Sequence, residues 1–316
     1  MDKKFDIVTA MDLCVDFLIQ MGDVIPKFGQ KEQMVEDYAI ELGGSCCIFA
    51  CQAAKLGLRT AGLGALGDDL FGRLIMDKLN NAGVNTERIR TDHTIKTGMG
   101  AALCKRDGDR AILTYSGSID APGLKDMTDD ILASIRHLHI GSYFLMKKLQ
   151  PHYPEIIRKA KKNGVTVSLD TNWDSDETWD GDVLDLLPLM DIFQPNENEI
   201  MAIMRKNSVE EAVKAALELV PVITLKSGKN GAAVITKNEY YHVDPVDVPV
   251  VDTVGAGDSF DAGFVYGFLS GFDMQKCLQI GSICGSLNTR SAGGIAGQPL
   301  RNEMEKLLQS GVKQII

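Results

Sequence analysis

The segment Val251-Asp252-Thr253-Val254-Gly255-Ala256-Gly257-Asp258-Ser259-Phe260 gathers the residue types best suited to chemistry in this chain. Three small residues, Gly255, Ala256 and Gly257, follow a strand-like run (Val246–Val251) and precede an apolar run that reads as a helix from about Asp258 to Leu269. Small residues let the backbone turn tightly and aim several N–H groups at one point. At a helix start those groups form an anion site, aided by the helix dipole. An acid beside such a site suits phosphoryl transfer: the amides stabilise charge on the moving group, and Asp258 can take the proton of an attacking hydroxyl. An aspartate there is equally able to serve as a plain N-cap, and the tetrapeptide alone does not separate the two roles.

The elements that must position this segment alternate. Strand-like runs at Phe5–Thr9, Thr60–Leu63, His137–Ile140, Val165–Leu169, Ile192–Gln194, Val222–Leu225 and Ala232–Ile235 are interleaved with amphipathic runs. The latter predict helices at Cys46–Leu56, Asp69–Ala82, Tyr153–Lys162, Glu197–Met204 and Val209–Leu219. Such alternation is the mark of an α/β fold with a mostly parallel sheet and helices on both faces. Glu36–Leu42 and Thr97–Tyr115 break the pattern, reading as strands without intervening helices, and Asp107-Gly108 is a hairpin-turn signal. These predict a small β-sheet lid over the mouth of a single domain, residues 1–316, with lid segments at about 13–42 and 95–120.

Bulk properties narrow the function classes. A chain of 316 residues, 45% hydrophobic and 24% charged, can build its core without disulfides or a structural metal. No apolar run approaches a membrane span of about 18 residues, and Met1–Asp6 lacks a secretory pattern. With seven cysteines, an odd number, these features predict a cytoplasmic protein with reduced thiols. Cys46, Cys47 and Cys51 lack partners at zinc-ligand spacing and read as buried thiols on a helix. The net charge of −10 argues against a nucleic-acid partner but not against an anion held by backbone amides.

The motifs together resemble the ribokinase-like (PfkB) carbohydrate kinases. Asp252–Phe260 looks like that family's C-terminal signature, and Gly43-Gly44-Ser45 with the helix ending Ala54-Lys55-Leu56-Gly57 like its N-terminal one. Gly64–Gly72, Pro195-Asn196-Glu197-Asn198-Glu199, Thr224-Leu225-Lys226-Ser227-Gly228 and Gly293-Gly294-Ile295-Ala296 before Pro299 match further blocks, in the family's order from about residue 5 to 305. The resemblance implies a three-layer α/β/α domain with a small β lid, and an ATP-dependent kinase acting on a hydroxyl of a sugar-like substrate. It makes Asp258 the catalytic base and the amides of Gly255, Ala256 and Gly257 an anion hole. It gives Asn196 and Glu199 to Mg²⁺, directly or through water, since a hard cation takes oxygen ligands; a bare helix start would also show this spacing. Lys226, Ser227, Gly228, Gly231 and Asn288 would flank the nucleotide. Asp252, Val254 and the Arg290–Ala296 loop would correspond to a monovalent-cation (K⁺) site. Asp12, Asp16, Gly43, Gly44 and Ile48 would border the substrate, and a carboxylate such as Asp16 can accept two hydroxyl hydrogen bonds. The lid sheets would pair in a homodimer.

Three positions depart from the pattern: Ile48 where relatives place an Asn that contacts the sugar, Ser45 where many carry Lys, and Ser142 where ribokinases carry an acid. These point away from ribose and sugar phosphates, toward a less polar sugar, a cyclitol or a nucleoside. Two other classes compete. Gly62-Leu63-Gly64-Ala65-Leu66-Gly67 is a literal G-x-G-x-x-G of the dinucleotide-binding kind, although it follows the wrong strand. A catalytically silent sugar- or nucleotide-binding regulator would share the fold, but would be expected to have lost Asp258 or its glycine turn.

Overall fold

The structure, a computed structural model, describes residues 3–106, 109–180 and 182–310. Strand β1 (Phe5–Ala10) leads into β2 (Cys14–Gly22), β3 (Asp37–Gly43) and helix α1 (Ser45–Lys55). Then come β4 (Thr60–Gly67), α2 (Leu70–Asn81), β5 (Asn85–Asp92), β6 (Gly98–Lys105), β7 (Arg110–Tyr115), α3 (Asp129–Ser134) and β8 (Ile135–Ile140). The middle of the chain forms α4 (Tyr153–Lys162), β9 (Thr166–Leu169), α5 (Val183–Leu186), β10 (Ile192–Phe193), α6 (Glu197–Met204) and α7 (Val209–Ala216). The last third forms β11 (Val222–Lys226), β12 (Ala232–Ile235), β13 (Tyr240–Val243), α8 (Ala256–Leu269), α9 (Met274–Asn288) and α10 (Arg301–Ser310).

Nine strands make one sheet in the order β13-β12-β11-β10-β9-β8-β1-β4-β5, parallel from β11 to β5 and antiparallel at β12 and β13. One face packs on α2, α4, α6 and α7 through residues such as Val8, Ile75, Ile156, Ile200 and Ala212, and the other on α8 and α9 through Ile7, Phe264 and Leu278. The expected three-layer α/β/α arrangement is therefore present. A second, four-stranded sheet, β3-β2-β6-β7, stands apart from it. Its strands lie within 14–43 and 98–115, the segments that read as β without helices. The Asp107-Gly108 turn lies outside the described residues, but β6 and β7 on either side of it pair antiparallel.

Two differences from the sequence pattern have clear causes. Val246–Val251 is not a strand: Val250 and Val251 are exposed, and the amides of Val251 and Asp252 donate to the Thr289 carbonyl at the end of α9 rather than to a neighbouring strand. Strand β5 escaped notice because, at the sheet edge, it carries a polar sequence in which only Ile89 is buried. The G-x-G-x-x-G run is no phosphate turn either. It lies inside β4, all of it buried, where a Cβ on Gly62 would sit 2.3 Å from Met11 Sδ and one on Gly64 2.9 Å from Leu13 Cδ1. Those glycines let the chain leaving β1 cross close over β4, and the dinucleotide-binding alternative loses its motif.

Asp69 begins α2 as its N-cap. Its carboxylate accepts from the Gly72 amide at 2.8 Å and, with the other oxygen, from the Thr97 amide at 2.9 Å at the approach to β6. Asp69→Ala removes both bonds and is expected to lower stability by roughly 1–2 kcal/mol, read from the urea midpoint at unchanged slope.

Candidate active site

Helix α8 begins where Gly255 takes a left-handed conformation, φ 75°. A Cβ there would lie 2.8 Å from the Gly294 backbone and 2.9 Å from Ile48 Cγ2, so only glycine fits. The turn is braced from behind. Asp252 accepts from the Val254 amide at 3.0 Å and the Gly293 amide at 2.9 Å, and Asn288 Nδ2 donates to the Val254 carbonyl at 2.7 Å. Both Asp252 oxygens and the Val254 carbonyl thus each accept one N–H donor and keep a further lone pair.

Asp258 follows Gly257 in the first turn of α8, half-buried. Burial pushes its carboxyl up to about 7, Asp170 and Asp12 add to the rise, and Lys226 and a hydrogen bond from the Ser45 side chain oppose it. Ser45 opens α1, whose N-cap Gly44 has φ 89° and lies where a Cβ would strike the Asp12 carbonyl oxygen at 2.3 Å, so the position takes glycine. Asp12 is buried. Its carboxylate accepts from the Ser45 amide at 2.8 Å, the Cys46 amide at 3.0 Å and the Ser142 hydroxyl. It is therefore committed to the positive end of α1 rather than open to a ligand. Burial nevertheless raises it to about 6. Ser142, at φ 47°, is held in turn by Asn172 Oδ1, which accepts from its amide at 2.7 Å.

Asp16 has the opposite character. It lies on β2 between Glu41 of β3 and Gly100 of β6, and a Cβ on Gly43 would stand 2.5 Å from its Oδ1. No hydrogen bond to its carboxylate occurs among the described residues, and burial, then Asp12, push it up to about 6 against the pull of Arg110. A half-buried, unpartnered carboxylate flanked by glycines is a ready acceptor for hydroxyl groups. Ile48 is buried, packed against Gly294 and the Gly255 turn, so it forms part of the floor beneath the turn.

Under α8 lies a polar cluster with few sequence-level signals. Lys226, at the end of β11, reaches Asp170 at 2.8 Å and Asp261 at 2.9 Å; Asp261 also accepts from Gln194 Nε2 at 3.0 Å and is hydrogen-bonded to Asp170. Burial disfavours the Lys226 charge, but the two acids outweigh it and hold the ammonium protonated. Burial lifts the Asp261 carboxyl well above the usual range even against Lys226. Lys226 Nζ thus lies largely buried between the two acids, beneath the start of α8. Ser227, Gly228 and Gly231 form a surface turn beside it, with Gly231 pressed so closely on the Val243 carbonyl that a Cβ would be 2.0 Å away. Asn196 and Glu199 complete a capping box at the start of α6, at 2.9 Å in each direction. Burial, then Asp170, raise Glu199 to about 7.

The fold therefore brings Asp258, the Gly255–Gly257 turn, Ser45, Asp12, Glu199 and Lys226 together, with Asp16 facing them from the second sheet. The motif reading missed Asp170, Asn172, Gln194 and Asp261. Asp261 did carry a signal, as an acid inside an otherwise apolar helix; the others stand at strand ends in a sequence of ordinary polarity.

An acid beside the amides of a helix start, in a three-layer α/β/α fold, is suited to handling an anion and a proton donor side by side. The chain belongs to the pfkB family of carbohydrate kinases, whose family model matches residues 8–301. It is thus a phosphotransferase with an alcohol group as acceptor. It is 30% identical over 251 residues to an ATP-dependent ribose-1-phosphate kinase of Halopiger xanaduensis (79% of this chain, 81% of that one). To a ribokinase of Arabidopsis thaliana it is 29% identical over 300 residues (91% and 77%). Its fold is similar to that of a ribokinase II candidate from E. coli, solved with ATP and Mg²⁺, at a TM-score of 0.85 and 24% identity (97% and 99% of the two chains). No helix among the described residues is long and apolar enough to cross a membrane.

The Ser45 hydroxyl favours the ionised form of Asp258. Ser45→Ala is expected to shift the acid limb of the kcat–pH profile to higher pH and to cut turnover at pH 7 by up to about tenfold. The measurement is ADP release across a range of about pH 5.5–9, which spans that limb. An unmoved limb would separate Ser45 from the base.

Proposed function

We propose that this chain transfers the γ-phosphoryl of ATP to a hydroxyl of a sugar or sugar-like substrate, with Asp258 as general base. The observation that carries this reading is the half-buried Asp258 carboxyl, raised to about 7, one residue beyond the small-residue turn that opens α8. A base poised near the working pH takes a proton efficiently, because it is ionised enough to accept and basic enough to hold it. As the hydroxyl oxygen attacks phosphorus, its proton passes to Asp258, and the amides of the Gly255–Gly257 turn face the charge on the transferring group. Asp16 orients the acceptor through hydroxyl hydrogen bonds, and the backbone at Gly43 and Gly44 leaves room for it. The Ser227–Gly231 turn borders the nucleotide.

Asn196 and Glu199 suit Mg²⁺. Glu199 is raised to about 7 by burial and by Asp170 against the pull of Lys226, and a hard cation beside it would favour the ionised form. When bound, Mg²⁺ would screen the phosphate charge. The acceptor end, with Ile48 and Ser142 in place of polar and acidic side chains, favours a sugar, cyclitol or nucleoside without a phosphate of its own. A catalytically silent regulator of the same fold finds no support here, since Asp258 and its turn are both intact.

The test is ADP release from ATP·Mg²⁺ over a panel of sugars, cyclitols and nucleosides. Substrate-dependent turnover is expected, with an acid limb near pH 7. Below that pH Asp258 is protonated and cannot act as base. Asp258→Asn is expected to lower kcat by about 10²- to 10⁴-fold; turnover that survives it undiminished would remove the assignment. The second sheet leaves Tyr38, Ile112, Leu113 and Tyr115 exposed, which supports pairing of two lids in a homodimer. Light scattering is expected to give about twice the 34.4 kDa chain mass, and a monomer at all concentrations would exclude that pairing.

A further inference from the structure

Among the polar groups that the mechanism above leaves unused, the cluster of Lys226, Asp170, Asp261 and Gln194 lies nearest the reacting centre. Three elements meet there. Asp170 follows β9, Lys226 ends β11, and Asp261 lies one turn beyond Asp258 on α8. Asp170 and Asp261 are 3% and 0% exposed, so neither carboxyl can be neutralised by solvent. The stem and ammonium of Lys226 run directly beneath Gly257: a Cβ at that glycine would stand 3.6 Å from Nζ and 3.8 Å from Cδ. An ammonium in this place does two things. It binds the sheet to the first two turns of α8, and it sets a positive charge behind the amides that face the phosphoryl group. Gln194 secures the far side of Asp261, so the acid cannot rotate away from Lys226 without losing a second bond.

We propose that Lys226, clamped by Asp170 and Asp261, is a positioning residue for phosphoryl transfer rather than a nucleotide contact, holding the Gly255–Gly257 turn and Asp258 in register from below. This rests on the kinase reading above. Fixing a donor turn against a base supplies its benefit in the transition state, because misplacement of the amides costs little when substrate merely binds. A residue touching the nucleotide would instead act on ATP affinity.

The experiment compares wild type with Lys226→Met, using ATP·Mg²⁺ and the acceptor with the highest turnover in the panel. Titration calorimetry gives ATP binding, and circular dichroism confirms folding. Met keeps the length of the stem and removes the charge. The expected result is ATP affinity and both KM values within about threefold of wild type, and kcat lower by about 10- to 100-fold. Lys226→Met leaves two buried acids facing each other and could fail to fold. The double variant Asp170→Asn, Lys226→Met removes one charge of each sign. It is expected to fold and still to show the depressed kcat, since nothing positive lies beneath Gly257. ATP affinity lower by tenfold or more with kcat retained would overturn the proposal in favour of a nucleotide contact. Wild-type kcat in either variant would reduce the cluster to a support for the fold. Asp258→Asn, run beside them, keeps the two readings apart: if it leaves kcat intact, the base assignment fails whatever Lys226 does.

Discussion

Charge compensation in a nearly dry interior is the constraint on which this site depends. Asp12, Asp170, Glu199, Asp258 and Asp261 all reach one region around the start of α8, and burial makes each reluctant to ionise. The fold answers each acid differently. Asp12 faces the amides at the positive end of α1, Asp170 is ionised against Lys226, and Asp261 keeps its proton within hydrogen-bonding reach of Asp170. Asp258 and Glu199 are left near the balance point, both raised to about 7. Two acids poised in this way, in reach of an anion-binding helix start, are what a proton acceptor and a cation-holding group require.

Close approach of backbones is the second condition. Gly43, Gly44 and Gly255 each sit where a single Cβ would collide with a side chain or carbonyl of another segment. Their lack of a side chain lets the second sheet, α1 and α8 converge on the same few ångströms. Ile48 shows the same economy from the other direction. Where a polar residue could have reached a ligand, its branched side chain fills the space between the Gly255 turn and Gly294 and stiffens both. α1 reinforces that loop further, since Gln298 donates to the Ile48 carbonyl and Lys55 to the Ile295 carbonyl.

The second sheet gives the site its other wall. β2 and β6 pair in parallel while β3 and β7 flank them antiparallel, an arrangement that sets Asp16 against Gly43 and Gly100 and leaves β7 exposed along its length. Glu41 of β3 packs on Gly293 and pairs with Lys78 of α2, so the sheet is anchored at its root and free at its edge. An anchored root with an exposed, partly apolar edge suits a cover over a small-molecule site and a contact for a second copy.

The alternation of apolar strands with amphipathic helices determined the layered fold, because periodicity is a local property that neighbouring residues impose on one another. The Gly255-Ala256-Gly257-Asp258 run and the Asn196–Glu199 pair were legible for the same reason: turn, cap and dipole all act within one helical turn of chain. Strand β5 was hidden because edge strands need little apolar surface, and Val246–Val251 looked like a strand until the Thr289 carbonyl took its amides. Lys226 was legible as a motif residue but not in its orientation, since whether an ammonium faces a ligand or the interior depends on acids 56 and 35 positions away along the chain. The same holds for Asp12 and Asp16, two similar acids near one strand. The first is consumed by the amides of α1, and the second is left open between Gly43 and Gly100. Sequence set the chemistry that was available through residue type and local spacing. Tertiary structure decided which groups keep a charge and which face a substrate, because burial and partnership depend on segments the chain brings together only on folding.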